Sequence, residues 1–159
     1  MNLRICAFVC ICFFSFFPFN QAFATIDYGK QTLSGDDFSN SDLRGATFYL
    51  TNLQDADLSN SDLEGASLFG AKLLNTNLSN ANLFNATLDS AVFDGTNLTN
   101  AILEESFAFN TSFNNVIIEG SDFTNVIVSK QDQRYLCSIA SGFNPVTERE
   151  TSKTLGCDE

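Results

Sequence analysis

The groups able to do chemistry in this chain are few, and they narrow its function before any fold is considered. None of the 159 residues is histidine. That removes a Ser-His-Asp site, a Cys-His dyad and the commonest metal ligand. Carboxylates are plentiful: 19 Asp and Glu stand against 8 Lys and Arg, a net charge of −11. A surplus of this sign opposes binding to a nucleic-acid backbone, which needs cations to displace counterions. Some carboxylates recur at regular intervals, among them Asp37, Asp42, Asp57 and Asp62. Carboxylates brought together could hold a divalent cation such as Ca²⁺ or share the acid and base roles of a hydrolase. Whether they meet depends on the elements that carry them.

The cysteines divide by position. Cys6, Cys10 and Cys12 lie in an apolar run, Ile5 to Phe19, that follows Arg4 and precedes Ala22-Phe23-Ala24. A charged start, an apolar stretch and small residues at the −3 and −1 positions read as a secretory signal over 1–24, cut after Ala24. Fifteen residues are short for a membrane span, and the absence of a twin-Arg pair favours the general secretory route. Removal of this segment takes one charge, Arg4, so the mature chain has 7 basic and 19 acidic residues, 7 − 19 = −12. Cys137 and Cys157 remain, and two cysteines in an exported protein read as one disulfide.

From residue 31 to 130, after a short lead-in over 25–30, the chain counts in fives. Every fifth residue from Leu33 is large and apolar, with Ala108 as the exception. The middle of the series is Leu53, Leu58, Leu63, Leu68, Leu73, Leu78, Leu83, Leu88, Phe93 and Leu98. Two positions earlier stands a small residue such as Ala56, Ser61 or Thr76, one position earlier Asp or Asn, and two positions later Gly or Asn. Five is the period of neither a helix nor a flat strand. It requires a backbone that turns a corner once per repeat, and Gly or Asn supplies the turn because both tolerate positive φ.

The pattern A-[DN]-L-x-x, as in Ala56-Asp57-Leu58-Ser59-Asn60 and Ala81-Asn82-Leu83-Phe84-Asn85, resembles the pentapeptide-repeat family. Val116 and Val126 at the small position, and Ile102, Ile117 and Ile127 at the polar one, depart from it. The resemblance implies an all-β solenoid: a right-handed quadrilateral β-helix with four repeats per coil, hence about five coils here. The large and small residues would point inward, and residues twenty apart would stack in columns. Asn40, Asn60, Asn80, Asn100 and Gly120 would form an outer ladder. Asp37 would stack on Asp57 and Asp42 on Asp62, as a solvated acidic face or a weak Ca²⁺-binding surface. Tyr49, Phe69 and Phe109 would share one column, with Phe84 a further outward apolar residue, as a candidate interface. Four N-x-S/T triplets, such as Asn77-Leu78-Ser79, arise from the repeat itself, and no glycosylation is read from them.

After Lys130 the period stops, and the tail over 131–159 reads as a short helical cap. Ser129 suits the N-cap of a helix over about 130–140, ended near Gly142. Thr147 with Glu150 is a capping-box pattern for a second helix through about Leu155. A Cys137–Cys157 bond would clip the two, with Phe107, Ile117 and Ile127 lying under the tail. Leu136-Cys137-Ser138-Ile139-Ala140 and Leu155-Gly156-Cys157 resemble the C-terminal module of pentapeptide-repeat proteins exported to the thylakoid lumen of cyanobacteria and plastids.

The expectation is a non-catalytic, exported scaffold, acting as a protein-interaction module in the thylakoid lumen or periplasm. A solid tube offers no cleft for an enzyme. No cofactor, no nucleic acid and, after cleavage, no membrane is expected, and the chain is expected to be a monomer with an unknown protein partner. The alternative is an acidic DNA-mimic, like pentapeptide-repeat relatives that engage DNA gyrase. An export signal argues against it.

Overall fold

The structure, a computed structural model, describes residues 26–157. The proposed signal segment, 1–24, lies outside them. Every fifth residue from Lys30 to Asn125 adopts positive φ, between 50° and 75°. This left-handed residue is the corner that the period demands. Gly and Asn hold most corners, while Lys30, Leu50, Asp55, Ser90 and Glu105 hold the others.

Each corner returns the chain over its own backbone after twenty residues. Parallel bridges join Asp27 to Thr47, Thr47 to Ser67, Ser67 to Thr87, Thr87 to Phe107 and Phe107 to Ile127. The same register runs down the other three sides. One of these contains strands long enough to form a parallel sheet, β1 (Lys72–Leu74), β2 (Val92–Asp94) and β3 (Ser112–Asn114), in the order β1-β2-β3. Leu73, Phe93 and Phe113 are in register there. Hydrogen bonds follow one rule: the N–H of a large residue donates to the carbonyl nineteen positions on, as from Leu58 to Asn77 at 2.8 Å and from Leu78 to Asn97 at 2.7 Å. This satisfies backbone groups that a narrow tube would otherwise bury unpaired.

The interior is filled by apolar side chains. Leu53, Leu58, Leu63, Leu68, Leu73, Leu78, Leu83, Leu88, Phe93 and Leu98 are fully buried, as are Ala66, Ala71, Ala81, Ala86 and Ala91. At several small positions held by Ser or Thr the hydroxyl has a specific acceptor, whereas the buried Ser106 hydroxyl has none. Thr76 donates to Leu53 O, Thr96 to Leu73 O, Thr111 to Leu88 O and Ser121 to Leu98 O, each twenty-three residues back. Ala108 fills less volume than a Leu would, on a coil that also carries the larger Phe113 and Phe123. The first coil is filled by Tyr28, stacked on Phe48 at 4.9 Å and edge-on to Phe38 at 5.4 Å.

That first coil corrects the expected lead-in over 25–30. The Tyr28 N–H bonds to Thr47 O at 2.7 Å, and Lys30 N–H to Tyr49 O at 2.7 Å. The repeat therefore runs from residue 26. Ile26, Tyr28 and Lys30 each break the consensus, but the backbone requires only an inward apolar residue and a corner.

Two helices follow, α1 (Lys130–Ile139) and α2 (Thr151–Thr154). The Ser129 side chain accepts from Asp132 N–H at the start of α1. The capping box expected at Thr147 does not form. Asn144 Oδ1 instead accepts from the N–H groups of Val146 and Thr147, Glu148 takes φ of 57°, and Phe143 pairs antiparallel with Glu150. The local turn takes the Thr147 N–H that the box would have used, and α2 begins four residues later. Cys137 and Cys157 are disulfide-bonded, with Cα atoms 5.4 Å apart.

Two predictions follow from this packing. Leu78→Asp should abolish the cooperative melt by far-UV circular dichroism, because it buries a charge in the middle of the tube, whereas Leu78→Ala should lose about 2–5 kcal/mol. A Leu78→Asp protein that melts like the parent would refute the inward placement. Leu50→Asn should gain about 1 kcal/mol in urea unfolding, since Leu is strained at positive φ and Asn is not. The site can take Asn: Gly70 lies above Leu50 just as Gly95 lies above Asn75.

Candidate interaction surface

The tube has four sides, and they differ. Side I comprises 26–30, 46–50, 66–70, 86–90, 106–110 and 126–130. The next five residues of each coil form side II, which holds β1–β3, and then come sides III and IV. Side III carries Asp36, Asp37, Asp57 and Glu119 with no basic residue. Side IV carries Asp42, Asp62, Glu64, Glu104, Glu105 and Asp122 against Arg44 alone. Side II has Asp55 and Asp94 against Lys72, and side I has Asp27 and Asp89 against Lys30 and Lys130. The acidity of the shaft thus sits on two adjacent sides, and side I is neutral.

The carboxylate columns form as the period requires. Asp37 bridges to Asp57 and Asp42 to Asp62. Their inner oxygens serve the turns: Asp37 accepts from Ser39 N–H at 2.9 Å and Asp57 from Ser59 N–H at 2.8 Å. Hydrogen bonds from the Ser39 side chain and backbone hold Asp37 below the usual carboxylate range. One coil on, Asn77 Nδ2 donates to Asp57 and Asn82 Nδ2 to Asp62, at 3.1 and 2.9 Å. Between Asp42 and Asp62 stands Arg44, 2.6 Å from the first and 3.6 Å from the second. Its guanidinium hydrogen bonds lower the Asp42 pKa to about 2. Arg44 thus occupies the place a cation would take in that column. Among the described residues, no group of three or more His, Cys, Asp or Glu is placed to hold a metal. The outer Asn ladder is present from Asn60 through Asn80 to Asn100, with amide contacts of 3.2 Å. At Gly120 a Cβ would lie 2.3 Å from Asn100 Oδ1.

The expected aromatic interface is brought together in part. Tyr49 and Phe69 stack at 5.7 Å, with Lys30 Nζ 5.8 Å from the Tyr49 ring centre. Phe109, 58% exposed, is two coils further on, separated from Phe69 by Asp89, whose carboxylate accepts from Phe109 N–H. Phe84 is exposed too but lies on side IV. Residues assigned elsewhere from sequence join the group instead. Phe107 and Ile127, expected under the tail, are 44% and 53% exposed on side I, and Leu50 and Ile26 are exposed there as well. Ile117 is also uncovered, on side III. The tail cannot cover them because it docks on the end of the tube rather than along its flank. Sorting the outward residues by a period of twenty would have revealed the apolar side from sequence.

The tail is held by a polar clamp that the sequence did not suggest. Asn144, almost fully buried, donates to the carbonyls of Gly120, Asn100 and Ala101. Gly120 N–H donates to Ser141 O, and Phe123 N–H to Thr154 Oγ1. These are groups that a further coil would otherwise pair. Arg149 lies 2.9 Å from Glu104 and 3.1 Å from fully buried Asp122. Burial would raise the Asp122 pKa, but hydrogen bonds from Thr124 and the charge of Arg149 bring it below the usual range. A groove of about 730 Å³ between the last coil and the tail is lined by Phe123, Gln133, Arg149, Lys153 and Leu155.

A closed stack of square coils with side chains filling its axis defines a β-solenoid repeat protein. A sequence model of pentapeptide repeats matches residues 33–70, 61–100 and 91–129, with eight copies. The chain belongs to the pentapeptide-repeat family, whose members fold as right-handed quadrilateral β-helices. Among solved structures it is similar to a pentapeptide-repeat protein of the Arabidopsis thaliana thylakoid lumen. That protein is 35% identical, the match covers 81% of this chain and 90% of that one, and the TM-score is 0.56. A pentapeptide-repeat protein from the cyanobacterium Cyanothece 51142 matches at 22% identity over 66% and 86% of the two chains, with a TM-score of 0.41. A plasmid-mediated fluoroquinolone resistance protein matches at 14% over 72% and 94%, with a TM-score of 0.35. Neither of these two weaker likenesses bears on function. A comparison with curated proteins finds no match.

The depressed Asp122 pKa makes the clamp acid-sensitive. A carboxylate with a lowered folded pKa contributes stability above its unfolded value, 3.8, and that stability is lost as pH falls through the folded value. Arg149→Ala should destabilise the tail at neutral pH and flatten this acid limb. Hydrogen exchange of residues 141–155 at neutral and acid pH tests it, and unchanged protection in Arg149→Ala would refute the clamp.

Proposed function

We propose that this protein is an exported, non-catalytic scaffold that presents its sides to a protein partner in the thylakoid lumen or periplasm. In this reading residues 1–24 are removed on export, five coils form the shaft, and the tail over 131–159 caps its C-terminal end. Family proteins are generally structural or interaction modules. The observation that carries the proposal is the contrast between sides: an apolar, neutral side I on a rigid shaft whose acid lies on sides III and IV. Exposed apolar residues gathered on one surface mark an interaction site. The compartment is supported by the 35% identical lumenal relative and by the signal-like segment. The disulfide suits an oxidising compartment. Among the described residues no helix is long and apolar enough to cross a membrane.

The test is a cross-linked pull-down of the tagged protein from fractionated lumen or periplasm, beside Phe109→Glu. A partner enriched over the tag alone and lost with Phe109→Glu is the expected result. Recovery of the native protein from cytosol or stroma, with inhibition of DNA supercoiling, would favour the acidic mimic instead.

A further inference from the structure

Side I has a property that a merely sticky surface lacks: it is complementary to itself. On 26–30, 46–50 and 66–70 a small or acidic residue on one edge is matched by a large or basic one on the other. Asp27 is opposed to Lys30, Thr47 to Tyr49 and Leu50, Ser67 to Phe69, and Thr87 to Asp89 and Ser90. Phe107 and Phe109 pair two aromatic rings on the same coil. Sides III and IV, with ten acids and one arginine together, would each bring a strongly acidic surface against its own copy. Like charges directly opposed across a β surface are unfavourable.

From this we infer that side I binds a second copy of this chain, side by side and parallel, about a two-fold axis running along the shaft. This rests on the reading of the protein as an interaction scaffold and specifies its partner. A two-fold along the shaft exchanges the two edges of the side at constant height. Asp27 of one copy then faces Lys30 of the other, twice over. The Tyr49 and Phe69 rings lie over Thr47 and Ser67, and Asp89 meets a hydroxyl. The antiparallel alternative, with the axis across the side between 66–70 and 86–90, brings Lys30 against Lys130 and sets Phe69 on Asp89. End-to-end pairing through the C-terminal end is closed by the tail clamp. The six rungs of the side span five steps of ~4.8 Å, ~24 Å in all, and a strip of that size falls at the small end of specific interfaces. The dimer is therefore a dissociating one.

The experiment is sedimentation equilibrium of the full chain, expressed with its own leader and purified after export, from about 1 µM to about 1 mM. The average mass should climb towards twice that of the monomer. Phe109→Glu should abolish the rise, with circular dichroism confirming an intact fold. Asp27→Lys and Lys30→Asp should each weaken association about tenfold, and the two together should restore it. A monomer at every concentration overturns the inference, as does a dimer indifferent to Phe109→Glu. Failure of the double charge swap to rescue overturns the parallel arrangement. A monomeric chain that still captures a different protein, or phosphatidylcholine vesicles, through Phe109 also overturns it. Capture of a different protein would leave the broader scaffold reading intact.

Discussion

Everything in this molecule depends on a corner placed every five residues. Twenty consecutive fifth positions, from Lys30 to Asn125, carry positive φ. With four corners per coil the chain lies directly over itself, and each side hydrogen-bonds to the side twenty residues away. The interior is then too narrow for two large side chains from one side, so one large and one small residue alternate inward. Close packing of that kind leaves no free volume and no internal site. It also explains why Leu, Ala, Ser and Thr dominate: the hydroxyl variants are tolerated because a carbonyl of the coil below accepts from them.

The same geometry makes the outside repetitive. Outward residues at one position stack at rung spacing, so identical side chains face each other coil after coil. Asn profits, since its amide is both donor and acceptor, and the Asn60–Asn80–Asn100 ladder follows. Asp would suffer, and the molecule handles its acids by turning them towards backbone N–H groups, by placing Asn above them, or by setting Arg44 between them. Charge that cannot be stacked freely becomes confined to particular sides. The neutral, apolar side I is the counterpart of that confinement.

Growth of such a stack has no intrinsic end, because the last coil presents the same unpaired backbone as every other. The tail ends it by imitation. Ser141 and Thr154 supply acceptors to the Gly120 and Phe123 N–H groups where the next coil would have done so, and Asn144 ties down the Gly120 carbonyl. Arg149 then anchors the loop to an acid with no solvent exposure. The disulfide joins α1 to the turn after α2, and Leu136 and Leu155 continue the apolar core of the shaft beneath them.

The fold was legible because its rule is local. A corner, an inward Leu and a small neighbour recur at a fixed interval, and a local rule repeated many times is visible in any one copy. The start of the repeat was less so, since Ile26, Tyr28 and Lys30 satisfy the backbone while breaking the consensus. The tail was legible only as helix signals, and the Thr147 capping box failed because Asn144 took the Thr147 N–H. The interface was read as one column, Tyr49, Phe69 and Phe109, whereas the surface is a whole side that also includes Leu50, Phe107 and Ile127. By itself, then, the sequence determined the period, the inward set and the excess of acid, all of which are properties of neighbouring residues. Which side is apolar, where Arg44 and Arg149 find their acids, and how the stack ends were decided by tertiary structure. Most of those contacts join residues from eighteen to forty-five positions apart, and only the closed coil brings them within reach.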